Sequence, residues 1–282
     1  MSLMESISKP EKRPLVATIV GEAGTGKSGL AASFPKPIFI RAEDGVNRIS
    51  SQVETPDSFP LVTCERDVVA QLMALLNEDH DYQTLVIDSI TELETIFSAE
   101  IIKKGGKDGK PAANIASAYG GYGAGFKTLS AMHGRVRKGA GMLNERKGMN
   151  VLFVGHADLE TVTLPDLDDY SRYSIRMHKD SKSHYLDNVD LVGFVRLQRA
   201  LRGDDDDRKR VVSNGDREFV CHATAASTSK NGLSITEPLD FPEGTNPLAP
   251  YLWPEPTAKG RKPKPKPEPE ETVDVPDASD VE

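Results

Sequence analysis

The chain predicts an α/β fold: a mostly parallel central sheet with helices on both faces and a β-hairpin region toward the C-terminal end. Three observations lead there. Short apolar runs of strand length alternate with amphipathic or polar stretches, the pattern of strand-helix-strand units. A glycine-rich stretch joins the first apolar run directly to the first helical segment. Beyond Asp190 the alternation gives way to closely spaced β-rich segments separated by turn residues.

The elements follow in order. The apolar runs predict strands over residues 15–20, 37–40, 61–63, 84–87 and 151–154. Helices fill the intervals at 27–33, 67–77 and 90–103, with a further one around 124–145. In the second of these, Val68, Leu72, Leu75 and Leu76 recur at helical spacing and form a stripe that belongs to the core. After Asp190, residues 191–197, 211–212 and 217–222 read as antiparallel strands joined by turns, with Asn214-Gly215 a tight-turn dipeptide and Asp204 to Asp207 in a polar loop.

With 282 residues, 38% hydrophobic and 28% charged, the composition fits one globular domain of roughly 200 to 250 residues plus tails. The domain is expected over 14–253, after a flexible N-terminus at 1–13. From Trp253 the composition turns to Pro, Lys and Glu and then to an acidic end. Such a segment cannot offset its ordering entropy, so 254–282 is expected to be an extended tail that either solubilises the chain or competes for or recruits a partner. The longest apolar runs are strand-sized, far below the roughly 18 residues of a spanning helix, and the N-terminus has no apolar signal region. A soluble, cytoplasmic protein with no membrane partner is expected. Cys64 and Cys221, far apart, are too few for a metal cluster and suit free thiols. The net charge of −8 argues against bulk polyanion binding, while leaving room for a local basic loop.

The chemistry centres on Gly21-Glu22-Ala23-Gly24-Thr25-Gly26-Lys27-Ser28, which matches G-x-x-x-x-G-K-[ST] in the strand-to-helix context that the pattern requires. Its backbone N–H groups can converge on an anion, and the following helix start adds partial positive charge. Lys27 is the candidate for the β- and γ-phosphate oxygens of ATP, and Ser28 for Mg²⁺. A metal-bound nucleotide also needs a carboxylate at the end of a buried neighbouring strand. Asp88 ends such a run, either as the metal-binding Walker B residue or as the N-cap of the next helix. Hydrolysis needs a group that orients or deprotonates water. Glu43, just past the strand at 37–40, is the general-base candidate, against a surface or turn role, because the carboxyl ends of parallel strands converge on one crevice. His156 ends the strand at 151–154 and is placed to feel the γ-phosphate or to couple it to a loop.

These residues resemble the RecA-like P-loop NTPases, and more closely the phage nucleotide-binding proteins of the Sak-type single-strand annealing and recombinase group. The resemblance spans roughly 14–235. Phe39-Ile40-Arg41-Ala42-Glu43 is similar to the segment ending in the catalytic glutamate, Asp88-Ser89 to the Walker B strand end, Gly155-His156 to the γ-phosphate sensor, and Ala118-Tyr119-Gly120-Gly121-Tyr122-Gly123 to a glycine-tyrosine stretch of the phage group. Hexameric and filamentous relatives add a trans-acting Lys-x-Arg pair. Here Lys230 stands at the lysine without its arginine, and Arg196 or Arg199 could substitute.

In that group the loops after the Walker B and sensor strands hold single-stranded DNA. The matching intervals are 103–123, with Lys103, Lys104, Lys107, Lys110 and the glycine-tyrosine stretch, and 157–186, with Tyr170, Arg172, Tyr173, Arg176, Lys179, Lys182 and Tyr185. Cations track phosphates and aromatic rings stack on bases, although either interval also fits a solvated loop whose tyrosines pack on the domain. A basic cluster at Arg135, Arg137, Lys138, Arg146 and Lys147 reads as an exposed helix face. The resemblance implies a Mg²⁺-dependent, DNA-stimulated ATPase, with Lys27, Glu43, His156 and Lys230 as catalytic candidates, assisting phage recombination or annealing in the host cytoplasm as an ssDNA-binding homo-oligomer beside a phage or host ssDNA-binding protein. The alternatives are a motor or helicase-type ATPase for replication or packaging, and a nucleotide-gated scaffold with negligible turnover.

Overall fold

The computed structural model describes residues 7, 12–45, 49, 54–108, 110–198, 200–202, 210–212 and 215–252. The expected tail and Arg199 lie outside them, as do Asn214 and the aspartate loop. The elements run β1 (Val16–Gly21), α1 (Lys27–Ala32), β2 (Pro37–Arg41), β3 (Asp57–Ser58), α2 (Glu65–Asn77), β4 (Thr84–Asp88), α3 (Ile90–Lys104) and, after a 3-10 stretch at Ile115–Gly120, α4 (Ala124–Lys147). There follow β5 (Asn150–Leu164), β6 (Leu167–Ile175), α5 (Lys179–Leu186), β7 (Leu191–Leu197), β8 (Ala200–Arg202), β9 (Arg210–Val212), β10 (Arg217–Val220), β11 (Lys230–Asn231) and β12 (Leu239–Asp240).

The main sheet has the order β12-β10-β7-β1-β5-β4-β2-β3, with β6 bonded to β5 and β11 to β7. From β7 through β3 every neighbouring pair along that order is parallel, while β10 runs antiparallel to both β7 and β12. The α/β class with a mostly parallel sheet is therefore observed. Alternation along the strands divides the core in two. Val16, Val20, Ile38, Ile40, Leu85, Ile87, Val151 and Phe153 face α2 to α5, whereas Ala17, Ile19, Phe39, Val86, Leu152 and Val154 face α1 and the C-terminal residues Ile235, Phe241, Leu248 and Leu252. Helices do cover both faces, but unequally: the second face has one short α-helix and is completed by the chain after β11, with β12 and a 3-10 turn at Ala249–Tyr251.

Three local expectations change. Residues 61–63 form no strand: Pro60 lacks a donor, Val62 gives its N–H to Arg41 O at 2.9 Å, and the Thr63 N–H and hydroxyl both donate to the Asp67 carboxylate at 2.8 Å, so the segment is committed to starting α2. Strand β7 is not purely antiparallel: α5 carries the chain back across the sheet, so β7 enters parallel to β1, with Val195 opposite Gly21. Finally, β5 does not stop at His156. It continues to Leu164 and folds back through β6 as a hairpin, held by cross-strand pairs such as Glu160 opposite Arg172 and Val162 opposite Tyr170.

Gly193 on β7 shows how tightly the second face is packed. A Cβ there would lie 2.0 Å from Phe219 Cζ, and Phe219 is fully buried. Gly193→Ala should destabilise the fold by about 1–3 kcal/mol through overpacking, read as a lower denaturant midpoint at unchanged slope. An unchanged midpoint would mean that the ring does not lie on the glycine.

Candidate functional site

The strand register brings five strands to one place. Gly21 lies opposite His156 on β5 and Val195 on β7, and Arg41 of β2 lies opposite Asp88 of β4. The loop leaving β1 needs glycine twice, at Gly24 with φ 76° and Gly26 with φ 95°, the left-handed region that side chains resist.

Lys27 is buried, and its Nζ donates to Glu22 O at 2.8 Å, curling the side chain over its own loop. The Thr25 hydroxyl donates to the same carbonyl at 2.9 Å. Burial pulls the Lys27 ammonium below the ordinary lysine range, and the charges of Asp88 and Glu43 oppose that pull. The Ser28 hydroxyl donates to Asp88 Oδ2 at 2.6 Å. Burial raises the Asp88 carboxyl above its usual range, against the stabilising Ser28 bond. The two readings of Asp88 separate here: Ser89 caps α3, its hydroxyl accepting from the Glu92 N–H at 3.2 Å, and Asp88 faces Ser28 instead.

Glu43 follows β2, held beside β4 by the Ala42 N–H donating to Asp88 O at 2.8 Å. Its Oε1 lies 3.3 Å from His156 Nε2. The His156 hydrogen bond, helped by the Ser89 hydroxyl, holds the Glu43 carboxyl below the usual glutamate range despite partial burial. His156 is itself fixed by its N–H donating to the Thr91 hydroxyl at 2.9 Å.

These groups share one cleft of about 450 Å³, lined by Ala23, Gly24, Gly26, Lys27, Ser28, Glu43, Asp88 and His156. The hard oxygen pair of Ser28 and Asp88 suits Mg²⁺, which takes one or two protein ligands and completes its shell with water and phosphate. The glycine loop and Lys27 suit the phosphates. Sequence reasoning missed the opposite wall, made of Arg217, Phe241, Glu243 and Gly244. A Cβ on Gly26 would lie 3.3 Å from Phe241 Cε1. The only available signal was a β-rich segment with no motif.

Other predicted residues lie elsewhere. Gly21 and Glu22 wall a second cavity of about 210 Å³ on the far side of the loop, where the Tyr173 hydroxyl donates to Glu22 Oε1 at 3.3 Å. Lys230 is not brought into the chain's own cleft. It sits opposite Val192, about 10 Å along β7 from Val195, the residue opposite Gly21, and its Nζ donates to Asp187 O. Arg196 pairs with Glu218 at 2.6 Å.

The two basic intervals also diverge. Within 157–186, Arg172 and Lys182 are both paired with Glu160, and Tyr185 is buried with its hydroxyl 2.8 Å from His133 Nδ1, because it lies on the inner face of α5. The α4 cluster is spent largely on the fold: Arg135 bonds Glu65, Arg137 bonds Asn188 O, and Lys147 bonds Glu78 O at 3.1 Å. In contrast, Tyr122 is fully exposed and Tyr119 nearly half so, both in the left-handed region with φ 52° and 55°. The glycine-tyrosine stretch lies just ahead of α4 and is anchored on the end of α3, the Tyr119 N–H donating to Gly105 O at 2.7 Å.

Among the described residues no helix is long and apolar enough to cross a membrane. A family model described as an AAA domain matches residues 13–227. Comparison with curated proteins gives no match.

Proposed function

The chain belongs to the AAA domain family, and so to the nucleotide-binding P-loop ATPases, and we propose that it hydrolyses ATP with Mg²⁺ in the 450 Å³ cleft and uses the nucleotide to control its hold on single-stranded DNA. The observation that carries this reading is the meeting of Ser28 with Asp88 at 2.6 Å and of Glu43 with His156 at 3.3 Å beside Lys27. Backbone N–H groups of residues 24–28 receive the phosphates, and Lys27 leaves Glu22 O for the β- and γ-oxygens. Ser28 and Asp88 hold the metal ion, which when bound neutralises phosphate charge. Glu43, kept ionised by His156, takes the proton of the attacking water.

The finer reading is a phage recombination or annealing assistant that works as a homo-oligomer. The glycine-tyrosine stretch just ahead of α4 supports the DNA part of it better than the hairpin does, because its rings are exposed and Lys103, Lys104, Lys107 and Lys110 lie close by in sequence. ATPase rate measured with and without single-stranded DNA, alongside sizing by light scattering, tests the whole. DNA-insensitive turnover would favour a different motor, and nucleotide-driven assembly without turnover would favour the scaffold.

A site-specific result is also expected. Tyr122→Ala should lose a stacking platform worth about 1–3 kcal/mol per base, seen as roughly 10- to 100-fold weaker single-strand binding by anisotropy with ATP affinity retained. Replacing Lys107 and Lys110 should instead flatten the salt dependence, by about 0.7 in log–log slope per lost contact. Unchanged DNA affinity in both variants would remove this surface from the mechanism.

A further inference from the structure

The cleft contains a second cation whose position depends on strand direction. Strand β10 runs antiparallel to β7, with Arg217 opposite Leu197. Its first residue, rather than its last, therefore lies at the edge of the sheet where β1 delivers the glycine loop. Strand β12 reverses direction again, so Phe241, just past its end, arrives at the same edge and donates its N–H to Arg217 O at 2.9 Å. A Cβ built on Gly26 would lie 3.1 Å from Arg217 Nη1 and 3.4 Å from its Cδ. The guanidinium thus rests against the residue that precedes Lys27, inside the same cleft.

The other candidate cations are committed elsewhere. Arg196 is tied to Glu218 at 2.6 Å and Lys230 to Asp187 O. Among the described residues no ion pair or side-chain hydrogen bond engages the Arg217 guanidinium. A permanently charged fork held beside an anion-binding loop without a protein partner is suited to the anion itself. In the strand order the acids Asp88 and Glu43 approach the loop from the β5 side, by way of β4 and β2, and Arg217 approaches from the β7 side.

We propose that Arg217 is a phosphate-binding residue acting in cis, gripping the polyphosphate of the nucleotide opposite the metal-binding pair. The inference rests on reading the cleft as the nucleotide site. It removes the need for a neighbour's cation in binding: the chain carries its own, on a strand that no phosphate-binding motif marks.

Calorimetry on the full chain tests it, with ATP, ADP, inorganic tripolyphosphate and adenosine as titrants. Arg217→Ala should weaken ATP, ADP and tripolyphosphate by about 10- to 100-fold and leave adenosine unchanged. Arg217→Lys should recover part of the loss as a point charge without the fork. Arg217→Gln keeps much of the packing stem and should bind as weakly as the alanine variant, so that a melting shift confined to alanine does not account for the loss. If wild type fails to bind ATP, or Lys27→Ala binds it unchanged, the nucleotide reading itself falls. If wild type binds and Lys27→Ala does not, while Arg217→Ala binds tripolyphosphate like wild type, the Arg217 assignment alone is overturned. A loss seen with adenosine and not with tripolyphosphate would likewise overturn it, placing the guanidinium on the base.

Discussion

Lys27→Ala is expected to abolish tight ATP binding. The ammonium is buried at the mouth of the loop, where its interaction with phosphate oxygens is little screened. Removing one partner of a buried charge pair typically costs about 3–5 kcal/mol, more than a hundredfold in affinity. The apo fold should tolerate the change. Among the described residues Lys27 gives one side-chain bond, to Glu22 O at 2.8 Å, and that carbonyl keeps the Thr25 hydroxyl at 2.9 Å. Burial already disfavours the free ammonium, so the melting temperature should stay near wild type while the calorimetric signal for ATP disappears. Retained affinity would remove the phosphate-site assignment.

Glu43→Gln should leave ATP binding largely intact and slow hydrolysis by about 10²- to 10⁴-fold, the usual contribution of a general base. The amide keeps the size of the side chain and still accepts from His156, but it cannot take the water proton. The pH profile gives a second readout. The His156 hydrogen bond holds the Glu43 carboxyl below its usual range, so the base stays ionised, and its pairing contributes to stability, above the ordinary glutamate pKa; both are lost as pH falls through the lowered value. His156→Ala removes that donor, and the acid limb of the rate profile should move to higher pH. Wild-type turnover in Glu43→Gln would shift the base to another group, such as Asp44, which faces Arg41 at 3.4 Å.

The contrast between Lys27 and Arg217 shows what a reader of the sequence can reach. Lys27, Ser28 and the two glycines belong to one contiguous pattern whose conformation is local: a strand, a turn that needs positive φ, a helix. Asp88, Glu43 and His156 are not contiguous, yet each follows a buried apolar run, and the rule that parallel strands present their carboxyl ends together is enough to assemble them. The alternation of apolar runs likewise determined the α/β class, because a side chain's face on a strand depends only on parity.

Where the prediction departed, direction and pairing were decided by distant chain. Residues 157–186 read either as a single-strand groove or as a solvated loop whose tyrosines pack on the domain, and Arg172 is neutralised by Glu160 across a hairpin that no local signal announced. For Tyr185 the packing of α5 decides for the second reading, turning the ring into the core beside His133 and Phe153. Arg217 read as an ordinary strand residue and Phe241 carried no reading at all, and both reach the cleft because β10 and β12 each reverse direction at the sheet edge. By itself the sequence determined the glycine-rich loop, the strand-end acids and the layered class, all set by local conformation and side-chain parity. The tertiary structure alone decided which wall closes the cleft and which cations remain free to meet a ligand, because both depend on strand order and on charge pairs formed between residues far apart in the chain.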